Sequence, residues 1–120
     1  MGARLEKTVV DCPDPRALAA FYAEVLGMQV NEDSADWVVI GRGPGGRELA
    51  FHIAGPGWAP PPWPDDASSL QLHLDLRVDD VETAERQVTS LGATPVTTDD
   101  ERGYRVYRDP AGHPFCLVFG

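Results

Sequence analysis

The sequence predicts an α+β fold in which two βαβββ repeats form a curved mixed sheet around a cleft. Three observations predict it. Two amphipathic helices each end in Leu-Gly, at Leu26-Gly27 and Leu91-Gly92, an offset of 65 residues. Each helix follows one strand-like run and precedes three more. Between the two sets, residues 55–66 carry five prolines, which exclude helix and central strand. A repeat at fixed spacing constrains a fold more than any single element does.

Residues 5–12 (Leu-Glu-Lys-Thr-Val-Val-Asp-Cys) read as a strand. Asp14-Pro15 then starts a helix, with Asp as N-cap and Pro at the first helical position. Leu18, Phe21, Tyr22, Val25 and Leu26 make its apolar stripe, and Gly27 ends it. Short strands are expected near 28–32, 37–40 and 48–53. The last two are joined by the glycine-rich turn at 41–46. That turn precedes no helix and lacks the Lys-Ser/Thr of a phosphate loop, so it reads as a hairpin.

The second half repeats this order. Residues 70–78 alternate leucine with polar residues, as a half-buried strand does. Asp79 or Asp80 caps a helix, supported by Glu82, with Val81, Ala84, Val88 and Leu91 as its stripe and Gly92 at its end. Strands are expected at 94–98, 104–108 and 114–119. The turn Asp109-Pro110-Ala111-Gly112 matches Gly43-Pro44-Gly45-Gly46 in the first half. The chain of 120 residues thus reads as one domain: repeat one at 1–54, a stiff linker at 55–69 and repeat two at 70–120. Each repeat has an oily sheet face under its helix. The two polar faces are left to curl toward each other and enclose the cleft.

The totals narrow the function. Ten basic against nineteen acidic residues give a formal charge of −9, which argues against a nucleic-acid surface. Apolar content of 42% with 24% charged residues is that of an ordinary soluble domain. No apolar run approaches membrane-spanning length, and residues 1–6 show neither a secretion signal nor, with Glu6 in place of Ser or Thr, a myristoylation site. The two cysteines, Cys12 and Cys116, form no CxxC pair. A cytoplasmic protein with free thiols is expected.

Several stretches together resemble the vicinal oxygen chelate superfamily, which holds glyoxalase I, bleomycin-resistance proteins, fosfomycin-resistance enzymes and extradiol dioxygenases. They are Asp14-Pro15, Ala20-Phe21-Tyr22, Leu26-Gly27, His73-Leu74-Asp75, Val78-Asp79-Asp80, Leu91-Gly92-Ala93 and the run from Asp109 to Phe115. The resemblance covers nearly the whole chain and looks closest to small glyoxalase-like proteins. It implies the fold more than the function, because the scaffold hosts several chemistries as well as pure binders.

In the family's enzymes, equivalent strands of the two halves supply His, Gln or Glu ligands to a divalent metal. Carried over by motif, the first position falls on Lys7, with Thr8 one residue away on the opposite face. The second falls on Ala50, with His52 on the same strand face. The third falls on His73 and the fourth on Cys116. A protonated lysine has no lone pair and alanine no donor atom. A catalytic metal needs about three protein ligands plus an open position. No metal cofactor is therefore expected; a divalent ion, if present, would rest on His73, His52 and Cys116, a set that suits zinc.

The expected function is binding, rather than catalysis: sequestration of a small organic molecule in the cleft, in the manner of bleomycin-resistance proteins. The ligand-binding residues are expected to be Lys7, Trp37, His52, Trp63, His73 and Cys116, since tryptophans beside a cleft suit a flat ligand. One alternative is a metal-dependent lyase, isomerase or dioxygenase acting on vicinal oxygens. The other is a metal-free acid–base enzyme in which Asp75 orients His73. The resemblance also implies a homodimer. The remaining motifs read as structural: His113 in its turn, Trp58 pinning the linker, and the acidic run at 99–101 as a solvated loop.

Overall fold

Asp14 opens the first helix as its sequence requires: its side chain accepts from the Ala17 backbone N–H, and Pro15 follows at the first helical position. In the computed structural model, which describes residues 2–63 and 72–120, that helix is α1 (Pro15–Leu26). It follows β1 (Thr8–Cys12) and precedes β2 (Gln29–Asp33), β3 (Trp37–Gly41) and β4 (Leu49–Ile53). The same order then recurs as β5 (Leu74–Arg77), α2 (Val81–Ser90), β6 (Thr94–Asp99), β7 (Tyr104–Arg108) and β8 (Pro114–Val118). The fold is α+β with two βαβββ repeats. It divides into two compact units, the first ending at Trp58 and the second beginning at Ala59.

Each unit holds one four-stranded mixed sheet, ordered β1-β4-β3-β2 in the first and β5-β8-β7-β6 in the second. β1 runs parallel to β4 and β5 parallel to β8; the other pairings are antiparallel. The repeat is exact in register. Thr8 pairs with Leu49 and Leu74 with Phe115, so both members shift by 66 residues. Both second strands also carry a bulge, between Val30 and Glu32 and between Pro95 and Thr97. Asn31 spans its bulge to donate to the Gly43 and Gly46 carbonyls, at 2.8 and 2.7 Å, which fastens the hairpin turn.

The helices cover one face of each sheet unequally. In the first unit Leu18, Phe21 and Tyr22 are buried against β3 and β4, and the Tyr22 ring stacks on Phe51 at 5.7 Å. In the second, α2 buries only Val88, over β8. Its cap is Asp80, which accepts from the Thr83 N–H at 3.2 Å, so of the two aspartates the later one serves. Part of α2's grip is polar: Glu82 and Glu85 accept from Arg105, and Glu85 accepts from the Tyr107 hydroxyl at 2.7 Å.

The strand expected at 70–78 is shorter. Leu70 and Gln71 lie outside the described residues, as do residues 64–69 of the expected linker. Leu72 is 84% exposed, because pairing with β8 begins only at Leu74. Leu5, before the first paired residue of β1, is likewise exposed.

Candidate functional site

Alternation along β5 sends Asp75 and Arg77 to the sheet face away from α2. In register, Asp75 lies beside Cys116 on β8. His73 directly precedes the strand, and its Nε2 stands 3.1 Å from Asp75 Oδ1. One imidazole nitrogen, one carboxylate oxygen and the Cys116 sulfur all lie within 4.8 Å of one another. His73 and Asp75 are open to solvent, whereas Cys116 is buried. Burial pushes the Cys116 thiol up to about 11, and the Asp75 charge and its hydrogen bond with the thiol add to that rise. The sulfur is therefore a protonated thiol at neutral pH.

An aromatic ring stacks on the histidine of this group. The Trp63 indole stacks on the His73 imidazole, with centroids 5.5 Å apart and planes 16° from parallel. The Trp63 backbone is held by Arg108 at the end of β7. Its Nη2 donates to the carbonyls of Pro62 at 3.2 Å and Trp63 at 3.1 Å, and its Nη1 to those of Pro61 and Gly112, both at 2.9 Å. Proline has no N–H, so residues 60–62 cannot join a ladder as donors, and the carbonyls of Pro61 and Pro62 take a side-chain donor instead.

The first unit has its own polar face. Trp37 and His52 are cross-strand partners, and their rings meet edge-on at 6.0 Å. His52 Nδ1 is 3.6 Å from Asp11 Oδ1, a loose contact that becomes an ion pair when the ring is protonated. The Lys7 ammonium lies 5.9 Å from the Trp37 ring centre and 3.1 Å from Glu6 Oε2. Trp37 Nε1 donates to Glu32 at 3.2 Å, and Arg47 bridges Glu32 and Glu6.

The structure thus brings His73, Asp75, Cys116 and Trp63 together in one unit, and Lys7, Trp37 and His52 together in the other. Asp75 pairs with His73. The register identifies Lys7, not Thr8, as the repeat mate of His73, since each directly precedes the first paired residue of its strand. Ala50 is the mate of Cys116, because their partners Val9 and Asp75 are equivalent. These two mates offer a metal no donor. The nitrogen, oxygen and sulfur of His73, Asp75 and Cys116 would suit a borderline ion such as zinc, with Asp75 in the place expected for His52. Sequence reasoning missed Arg108; the signal was a run of prolines whose carbonyls needed a donor.

His113 is structural: its Nδ1 lies 2.9 Å from Asp109 Oδ2, while Asp109 Oδ1 also accepts from the backbone of Ala111, Gly112 and His113.

The sequence model of a family described as a glyoxalase-like domain matches residues 7–118. Among solved structures, the chain is similar to a glyoxalase/bleomycin resistance protein/dioxygenase family enzyme from Burkholderia phytofirmans PsJN (TM-score 0.70, 19% identity, 98% of each chain). It is also similar to the trypanothione-dependent glyoxalase I of Leishmania major (TM-score 0.68, 21% identity, 98% of this chain and 87% of that one). A third likeness is to lactoylglutathione lyase from Agrobacterium tumefaciens (TM-score 0.61, 21% identity, 98% and 94%). At these identities the likeness is one of fold. A search of curated proteins finds no match.

Proposed function

The chain belongs to the glyoxalase-like domain family, and from that premise we propose that it binds and sequesters a small, flat organic molecule at the His73 face of its second repeat, without the family's complete catalytic metal site. One observation carries this reading. The face that holds His73, Asp75 and Cys116 presents an imidazole on which a flat ring stacks, as the Trp63 indole does, while the repeat mates Lys7 and Ala50 supply no metal ligand. Flat ligands are gripped by such stacking surfaces, with a few polar groups fixing orientation. On the first repeat, Trp37, His52 and Lys7 offer a second surface of the same character.

The test is thermal denaturation against a panel of aromatic and cationic natural products. A true ligand at a hundredfold excess over its Kd stabilises the fold by about 2.7 kcal/mol. A panel that leaves Tm unmoved at high excess removes the support.

A second reading is favoured by the donor cluster itself: a metal-dependent lyase, isomerase or dioxygenase, with His73, Asp75 and Cys116 holding the ion. When bound, such an ion polarises substrate oxygens as a Lewis acid. Trp63 would lie against one face of the ligating His73 ring. Elemental analysis of protein purified without chelator separates the readings; a stoichiometric transition metal favours this one.

The protein is further proposed to act as a cytoplasmic homodimer. β1, β2, β5 and β6 are edge strands of their sheets, and open edges are a liability that pairing relieves. Val9 and Val30 are also half exposed on two of them. Light scattering at the monomer mass would contradict the dimer. No described helix is long and apolar enough to cross a membrane.

A further inference from the structure

We propose that Trp63 is a built-in occupant of the ligand site, an indole plug seated on the His73 imidazole, that Arg108 is the positioning residue holding it there, and that the ligand is a flat heteroaromatic cation with N–H donors that takes the indole's place.

The geometry starts with the row Arg108, Pro114 and His73. Arg108 pairs with Pro114 across β7 and β8, and His73 directly precedes Leu74, which pairs with the residue after Pro114. The three therefore stand at one level on adjacent strands. The proline strap crosses this row. At one end Pro60 rests on the β7–β8 turn, so closely that a Cβ added at Gly112 would come within 2.8 Å of the Pro60 Cβ. At the other end the indole lies over His73.

Between them, the Arg108 guanidinium takes the carbonyls of three consecutive residues, Pro61, Pro62 and Trp63. Only a planar fork with several fixed donors can do this; a lysine ammonium is one compact point on a flexible stem. The same guanidinium holds the Gly112 carbonyl, so the strap is tied to the turn it crosses. The height of the indole above the imidazole is thus set from its backbone.

The ligand class follows from what the indole leaves unused. Its ring satisfies the imidazole face by stacking. The Asp75 carboxylate beside that face is 57% exposed and bonds His73 and the Cys116 thiol, with lone pairs to spare. A flat cation with N–H groups matches the indole's stacking and adds a charge-assisted hydrogen bond to Asp75. That added bond gives such a ligand its advantage over the plug. The ligand half of this inference rests on the binding function proposed above; the clasp does not.

Proton NMR at pH 8 tests the clasp without any ligand. The chain has three histidines, so the imidazole signals are assignable with a His73→Gln variant. The stacked indole should shift the His73 signals upfield. Trp63→Ala should return them to their ordinary position, and Arg108→Ala should do most of the same while His113 and His52 stay put. Arg108→Lys, which keeps the charge and loses the fork, should behave like Arg108→Ala and guards against simple unfolding. His73 signals unmoved in both Arg108 variants would overturn the clasp.

The ligand half is tested with 9-aminoacridine, a flat cation with N–H donors. Trp63→Ala should bind it severalfold more tightly than the parent protein, and Asp75→Asn more weakly. Weaker binding by Trp63→Ala would make the indole a wall and overturn the plug. No binding by either protein would count against the binding function and the ligand class together, and the NMR result would still decide the clasp.

Discussion

Cys116 shows how neighbours set the chemistry of a single residue. Its thiol is raised to about 11 by burial and then by the Asp75 carboxylate. At pH 7.5 the thiol is almost wholly protonated, and the thiolate is the nucleophile. Alkylation of the Cys116 peptide, followed by mass spectrometry to separate it from Cys12, should therefore be very slow at pH 7.5. It should speed up about tenfold per pH unit toward pH 11. Asp75→Asn removes a charge that favours the S–H form, so it should lower the midpoint and accelerate labelling at fixed pH; an unchanged rate would contradict the pairing. The shift also ties stability to pH. A folded value above the ordinary 9.0 means the native state holds its proton longer than the unfolded chain. That contribution is complete below about pH 9 and disappears as pH rises through about 11, and Cys116→Ala should flatten the alkaline loss. In the sequence, alternation could put His73 and Asp75 on one face, and the family resemblance implied Cys116 as a position of the same site. The Trp63 stack was not legible, because a proline run has no periodicity from which a side chain's direction can be read.

At the scale of elements, the β3–β4 turn admits no added atom at one position and tolerates it at another. A Cβ at Gly41 would lie 2.2 Å from the Gly46 carbonyl carbon, and backbone cannot step aside as a side chain can. Gly41→Ala should cost about 3 kcal/mol or more in chemical denaturation. Gly43 has nothing within 4 Å of its added Cβ and no left-handed backbone, so Gly43→Ala should be neutral or stabilise by up to about 1 kcal/mol. Equal effects would mean that the turn's path is not as described. Loss of the α1 cap in Asp14→Ala should cost about 1 kcal/mol, and Asp14→Ser should restore most of it. The elements themselves were largely legible: caps, stripes and turn residues placed both helices and the eight strands within a few residues. Ends were less so. Residues 5–7 and 72–73 have strand-like composition, yet they lie beyond the partner strand's pairing, and a strand ends where its ladder does.

For the whole molecule, the two repeats share a register and differ in what holds their helices. α1 buries three large side chains, Leu18, Phe21 and Tyr22, each worth roughly 1.5–3 kcal/mol of burial. α2 buries Val88 alone and leans on Arg105, whose side chain is only 10% exposed and meets Glu82 at 2.8 Å, Asp100 at 2.9 Å and Glu85 at 3.3 Å. An ion-pair cluster at a partly wet edge is weaker than apolar burial and is screened by salt, because Glu82 and Asp100 both face solvent. The second repeat should therefore open first. Native-state hydrogen exchange should release the amides of α2 before those of α1, and 1 M salt should widen the gap by hastening α2 alone. Arg105→Ala leaves three carboxylates without their shared cation, so it should accelerate α2 strongly and leave α1 unchanged. Exchange of α1 ahead of α2, or an Arg105→Ala variant that speeds both helices equally, would show that the two repeats open as one cooperative body.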